Sequence, residues 1–165
     1  MKTFKLRSQI RILSFLFITV LIVSGITAFP LQTELNYLVK ALEPHPGVLY
    51  HWLSEVSHAL HDMNSLYPFL SYGTDWLAFA HILISIFFIG VFKDPVRNIW
   101  ITQTGIISCI LIFPLALIAG HIRSVPLFWQ GIDCSFGALG LLPLLLIHSK
   151  TKQLIAYSHT YQPLN

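Results

Sequence analysis

Charged residues are scarce in this chain of 165 residues, because Asp, Glu, Lys and Arg together make up only 10% of it. A soluble domain carries about 25% charged residues, so the composition excludes most classes of soluble enzyme. The two cysteines, Cys109 and Cys134, form no CxxC pair, and nothing indicates a disulfide framework. Glycine-rich phosphate-binding patterns are also missing, which excludes the common nucleotide-binding folds. No serine or cysteine has an evident base at useful spacing, so the sequence favours a protein without catalytic activity and without a cofactor.

Long apolar stretches fill most of the chain instead. Each is about the length that crosses a hydrocarbon core as a helix, roughly 17–25 residues. We therefore predict an all-α membrane protein: a four-helix transmembrane bundle with two extracytoplasmic amphipathic helices, forming a single domain over residues 1–165. The predicted spans are residues 12–29, 76–92, 99–119 and 126–147, with an outer helical segment over residues 30–74. Polar residues before three of these spans are predicted helix caps: Thr74 or Asp75, Asp94 and Ser124.

The distribution of basic residues predicts the topology. By the positive-inside rule, both termini are cytoplasmic, and residues 30–75 and 120–125 lie outside. Because the basic residues flank apolar runs, the net charge of +3 predicts a lipid bilayer as partner and no nucleic acid. An alternative for the first run is a cleavable signal peptide, cut near Ser24–Gly25 or Thr27–Ala28, which would leave three spans. The basic residues that flank the runs are Lys2, Lys5, Arg7, Arg11, Lys93, Arg97, Lys150 and Lys152.

The segment 30–74 is too long and too regularly patterned to be a bare loop. Apolar residues from Leu31 to Leu42 recur at helical spacing, and Pro44, Pro46 and Gly47 then break the chain. A second set, from Leu49 to Tyr67, again falls on one face of a helix. We expect two amphipathic helices on the outer membrane surface or over the mouth of the bundle.

Asp133 is the only acidic residue inside the four apolar runs. Insertion of an acidic side chain costs about 2.5–3.5 kcal/mol, so it should face protein or water and have a partner. At 1.5 Å per residue, His81 and Asp133 both lie roughly 7–11 Å below the outer boundary. We therefore predict a buried polar pair of His81 and Asp133, either a protonatable pair or a clamp that fixes helix register. The supporting polar residues are Asp75, Ser85, Arg123 and Gln130.

A second polar constellation lies in the outer segment. His51, Glu55, His58 and Asp62 share the polar face of the second outer helix, and imidazole and carboxylate groups are sound ligands for zinc or a similar divalent metal. His51 and Asp62 would be about 16 Å apart on a straight helix, so one ion could use only a pair such as Glu55 and His58. An ordinary solvated helix face is the alternative interpretation.

Three stretches resemble a family of small bacterial multi-span integral membrane proteins for which no activity is known. They are residues 67–81 (YPFLSYGTDWLAFAH), 93–98 (KDPVRN) and 114–137 (PLALIAGHIRSVPLFWQGIDCSFG). The resemblance covers roughly the second to fourth spans and implies a protein of the bacterial inner membrane. It implies no role for any residue.

These patterns favour a non-catalytic accessory, scaffold or sensor protein that assembles with itself or with a larger membrane complex. Two alternatives stay open. One is a small proton-coupled transporter that acts as an oligomer and uses His81 and Asp133. The other is a metal- or haem-binding redox protein, in which His81 and His121 would be the axial ligands of a haem.

Overall fold

The computed structural model describes residues 2–161 and the side chains of residues 3–157. Over that range the chain is helical and contains no strand. The helices are α1 (Lys2–Ala28), α2 (Leu31–Leu42), α3 (Val48–Leu66), α4 (Pro68–Lys93), α5 (Ile99–Ile122) and α6 (Leu127–Tyr161).

Within the described residues, four helices are long and apolar enough to cross a membrane, and each overlaps one of the predicted spans. This indicates a membrane protein. The candidate spans are Thr3–Ala28 in α1, Pro68–Lys93 in α4, Ile99–Ile122 in α5 and Leu127–Tyr157 in α6.

The chain forms two compact units. The first contains the described residues of 1–19 and 86–165, which are the first part of α1, the last part of α4, and the helices α5 and α6. The second contains residues 20–85, which are the end of α1, the helices α2 and α3, and most of α4.

The core of the first unit is formed by the inward faces of its helices. Ile10, Val91, Leu144 and Ile147 have no exposed surface. The Phe17 ring packs against Phe88 from α4, with their centroids 4.6 Å apart. At one end, Lys150 Nζ donates a 2.8 Å hydrogen bond to Gln9 Oε1, which ties α6 to α1.

Glycines allow α5 and α6 to pack closely. A Cβ added at Gly137 would lie 2.8 Å from the backbone oxygen of Cys109, and one at Gly120 would lie 2.8 Å from Gln130 Cγ. Early residues of α5 therefore meet late residues of α6, so the two helices are antiparallel, as their short connection requires. Small residues at a helix interface are the usual means of close approach in membranes.

The second unit is stabilised differently. The helices α2 and α3 pack through the buried side chains of Leu35 and Leu53. Beside them, Gln32 Nε2 donates to Ser57 Oγ at 3.2 Å, and Ser57 Oγ donates to Asn36 Oδ1 at 2.9 Å. This polar cluster fixes the register of the α2–α3 hairpin.

The helix starts differ from the sequence-based expectation. Thr74 or Asp75 was expected to cap the second span, but α4 begins at Pro68, so both residues lie inside the helix. Asp94 was expected to cap α5, but it accepts the backbone N–H of Arg97 at 3.2 Å within a turn, and α5 begins at Ile99. Pro68 opens α4 itself, whereas Pro95 lies in the turn before α5, because a proline suits the first position of a helix and a turn equally well.

Ser124 was expected to cap α6, but it instead ends α5. Its φ of 57° lies in the left-handed region. The backbone N–H of Val125 donates to Gly120 O at 2.9 Å, and the N–H of Ser124 donates to His121 O at 3.1 Å. These two bonds form a Schellman motif, in which glycine is the usual residue at the left-handed position.

Candidate functional site

A groove of about 310 Å³ lies between α5 and α6, next to the turn that joins them. It belongs entirely to the first unit. Its walls are mostly apolar, and it contains one basic and one acidic side chain. The lining residues are Ile112, Leu115, Ala116, Ala119, Gly120, Arg123, Val125 and Asp133.

Arg123 and Asp133 line the groove at different depths. Arg123 follows the last residue of α5, at the mouth. Asp133 is the seventh residue of α6, so it lies roughly 10 Å deeper at 1.5 Å per residue. Among the described residues of the first unit, no side chain forms a hydrogen bond or ion pair with the Asp133 carboxylate or the Arg123 guanidinium. Both charged groups are therefore available to a ligand or a partner.

Gln130 fixes the turn at the mouth of the groove. Its side chain is 2% exposed and packs over Gly120. A side chain at position 120 would collide with Gln130. Its Nε2 donates a 2.7 Å hydrogen bond to the backbone oxygen of Val125. Because the N–H of Val125 is also bonded, both backbone polar groups of that residue are satisfied within the protein. Gln130 is therefore a positioning residue that makes the turn rigid.

The helices close together below the groove. A Cβ added at Gly140 would lie 3.0 Å from Cys109 Sγ, and one at Gly105 would lie 2.9 Å from Phe88 Cζ. Cys109 itself is 8% exposed. Along the contact of α5 with α6, the groove is thus a dead end with a packed floor.

His81 and Ser85 lie on α4 in the second unit. His81 Nδ1 is 2.8 Å from the backbone oxygen of Leu77, so Nδ1 is the donor in this contact. Ser85 is 2% exposed and donates to the backbone oxygen of Ile82 at 2.6 Å. Asp75, also on α4, is exposed.

The end of α1 packs closely against the His81 region within the same unit. A Cβ added at Gly25 would lie 2.8 Å from Ala78 O and 3.2 Å from His81 Cβ. Gly25 was considered in the sequence only as a cleavage site, because a single small residue in an apolar run gives no sign of which helix it faces. The predicted pair of His81 and Asp133 joins residues of different units and stays a prediction.

The four residues of the predicted metal-binding face are all exposed on α3. They are His51, Glu55, His58 and Asp62. Across the described part of the chain, no three His, Cys, Asp or Glu side chains come close enough together to hold a metal ion. A pair such as Glu55 and His58 would need ligands from another source, and metal binding by this face stays a prediction.

Sequence reasoning missed the polar cluster of Gln32, Asn36 and Ser57. Gln32 and Asn36 are one helical turn apart on α2, and Ser57 lies on the buried face of α3 beside Leu53. The spacing of the first two was a usable signal, since i, i+4 amide pairs hydrogen-bond on helices. That Ser57 is their partner could not be predicted, because it depends on how α2 packs against α3.

Comparison with known protein families, curated proteins and solved structures finds no match to this chain.

Proposed function

We propose that this protein is a non-catalytic accessory, scaffold or sensor protein of the bacterial inner membrane, and that the α5–α6 groove is where it engages a partner. The observation that carries the proposal is the pair of charged residues in this groove, Arg123 and Asp133, which have no polar partner within the first unit. A carboxylate on a spanning helix at this depth costs about 2.5–3.5 kcal/mol unless it is compensated. A binding partner that donates to Asp133 compensates for that cost.

The shape of the groove favours a partner polypeptide over a substrate. It is mostly apolar, with small residues on its α5 wall at Ala116, Ala119 and Gly120. Small residues allow a third helix to approach closely, and a polar group on that helix would then reach the carboxylate. The packed floor at Cys109 and Gly140 gives no route onward for a transported solute along this contact.

The exposed surface of the spans supports the same proposal. Few residues in the most apolar part of α5 are fully buried within the protein, fewer than in α4. The remaining surface of α5 is available to lipid or to other membrane helices. A larger complex, or a second copy of this chain, would cover part of it.

The finer architecture belongs to this proposal. We place both termini in the cytoplasm by the positive-inside rule, which puts α2, α3 and the groove on the outer side. In this orientation α2 and α3 are amphipathic helices at the outer surface, with Leu35 and Leu53 inward and the histidine face of α3 outward. The predicted pairing of His81 with Asp133 would make the partner contact sensitive to protonation, as a sensor requires.

Site-specific photocross-linking in native membranes tests the proposal. We expect a photoreactive residue at Ala116, in the groove, to capture a defined partner, and one at Ile107, an exposed α5 residue outside the groove, to capture none. Asp133→Asn should reduce the captured partner at least tenfold, because the amide cannot accept an ionic contact.

The matched control is Glu43→Gln, which removes one carboxylate from an exposed position between α2 and α3. Capture should be unchanged in this variant. Equal capture by Asp133→Asn and the unsubstituted protein, with both variants folded by gel filtration, would contradict the proposal.

A proton-coupled transporter is a second candidate, favoured by the Asp133 carboxylate that faces an open groove. Because the floor of the groove is packed, the pathway would have to form between copies of the chain. Proton-dependent solute flux into liposomes that Asp133→Asn abolishes would support transport.

A further inference from the structure

Several hydroxyl groups on the helices of this protein donate to a backbone carbonyl of their own helix. Each of these side chains bonds to the backbone oxygen three or four residues earlier, at 2.6 to 3.0 Å. This satisfies the donor without any other group. The residues that do so include Thr19, Ser85, Thr104, Ser108, Ser135 and Thr151.

Ser14 and Thr102 differ from these residues. Ser14 is 0% exposed and Thr102 is 1% exposed, yet their hydroxyl oxygens have no hydrogen-bond partner among the described residues. A third buried polar atom of the first unit, His148 Nε2, also has none. Buried polar groups are nearly always hydrogen-bonded, so three orphans in one unit need an explanation.

The three orphan atoms belong to one layer of the first unit. The Lys150–Gln9 hydrogen bond sets a common level on α6 and α1. We measure height along the helix axes from this level towards the groove, at 1.5 Å per residue. His148 then lies at a height of about 3 Å, and Ser14 lies at about 8 Å. Leu144 lies at a height of about 9 Å, and Gly105 contacts it from α5. Thr102 precedes Gly105 on α5 and therefore lies at a height of about 5 Å.

The same residues face a common interior. Ser14 is one helical turn from Ile10, and His148 follows Ile147, and both of these neighbours are 0% exposed. Thr102 lies one turn from Gly105, which contacts Leu144, itself 0% exposed. The orphan atoms thus lie at the level of the Leu144–Ile147 part of the core.

We propose that Ser14, Thr102 and His148 bind ordered water inside the first unit, at the end opposite the groove. Two hydroxyls and one imidazole nitrogen supply the two to four hydrogen bonds that a buried water needs. The water would add a polar link between α1, α5 and α6 beyond the Lys150–Gln9 hydrogen bond.

The charges around this layer disfavour a cation as the occupant. Lys150 lies within one turn of His148, and the Asp94 carboxylate already accepts the Arg97 amide. The remaining acidic side chain of the first unit, Asp133, lies at the groove. A neutral ligand that both donates and accepts fits the layer best.

X-ray radiolytic footprinting in water labelled with oxygen-18 tests the site directly. Trapped water generates hydroxyl radicals in place, so Leu144 and Ile147 should be labelled although neither is exposed. Leu154, which is 4% exposed and lies on α6 away from the orphan atoms, serves as the reference residue.

In the double variant Ser14→Ala/Thr102→Val, labelling of Leu144 and Ile147 should fall at least threefold. The control Thr104→Val removes a hydroxyl that already bonds to the Trp100 carbonyl, so it should leave the labelling unchanged. Labelling of Leu144 and Ile147 no greater than that of Leu154 would overturn the proposal. A double variant labelled like the unsubstituted protein would also overturn it.

Thermal stability gives a second, independent readout from the isosteric change Thr102→Val. If water satisfies the hydroxyl, its removal breaks a bridge, and Tm should fall by about 2–4 °C. An increase in Tm would show a dry, unsatisfied hydroxyl and overturn the proposal. A Tm that depends on replacing chloride by gluconate in the unsubstituted protein, and not in Thr102→Val, would assign the site to an anion and overturn it as well.

Discussion

The two helical hairpins of this protein are held together in opposite ways. The helices α5 and α6 meet through glycines, with Gly137 directly against the backbone of Cys109. The helices α2 and α3 meet through two leucines and a hydrogen-bonded cluster centred on Ser57. The difference matches the architecture that we propose, with α5 and α6 in lipid and α2 and α3 at the outer surface. In lipid the hydrophobic effect does not hold helices together, so close packing does; at a water interface, buried leucines and side-chain bonds suffice.

The largest expected effect tests the packing of the α5–α6 hairpin. In Gly137→Val the new side chain would meet the backbone oxygen of Cys109, which cannot move aside, so the variant should lose about 3 kcal/mol of stability or fail to fold. Thermal unfolding in detergent micelles measures this loss.

Gly131→Val is the matched control for that change. A Cβ at Gly131, on the same helix, meets nothing within 4 Å. The control should therefore change stability by less than about 0.5 kcal/mol. Similar losses in both variants would mean that contact with α5 does not set the effect, since valine has a higher helix propensity than glycine.

An intermediate effect is expected in the α2–α3 hairpin. Ser57→Ala removes a hydroxyl that accepts from Gln32 and donates to Asn36, so local stability should fall by about 1–2 kcal/mol. Amide hydrogen exchange should quicken in α2 and α3 and stay unchanged in α5 and α6. Ser65→Ala, which removes an exposed hydroxyl bonded to its own helix, should leave the exchange of the hairpin unaltered.

The smallest effect concerns the turn beside the groove. Ser124 occupies a left-handed backbone conformation at φ 57°, so Ser124→Gly should stabilise the protein by about 0.5–1 kcal/mol. Ser135→Gly, a change of the same chemistry inside α6, should destabilise it by a similar amount. Opposite signs of the two changes in Tm would verify the geometry of the turn, and a loss in both would refute it.

The sequence predicted the helical class and four candidate spans well, because uninterrupted apolar length is a strong signal that needs no tertiary information. It predicted the helix starts less well. Asp94 and Asp75 were assigned as caps from their position before the apolar runs, but Asp94 lies in a turn and Asp75 lies within α4. Local residue types do not show whether a proline opens the next helix or the turn before it.

The groove was only partly visible in the sequence. Arg123, Gln130 and Asp133 were singled out because each is polar at an unusual place, and all three lie at or beside the groove. That Gln130 packs over Gly120 and holds Val125 could not be predicted, since these contacts depend on the register of α5 against α6. The orphan hydroxyls of Ser14 and Thr102 were missed for the same reason, because sequence does not show which serine bonds to its own helix.

The hydrogen bond between Gln9 and Lys150 joins positions 141 residues apart in the chain. The second unit, residues 20–85, is continuous in sequence and can assemble as soon as α4 leaves the ribosome. The first unit cannot, because the beginning of α1 must wait in the bilayer until α6 has been synthesised. The first helix to be synthesised is therefore the last to complete its packing. A chain truncated before α6 would leave Ser14 and Gln9 exposed to lipid or to the insertion machinery.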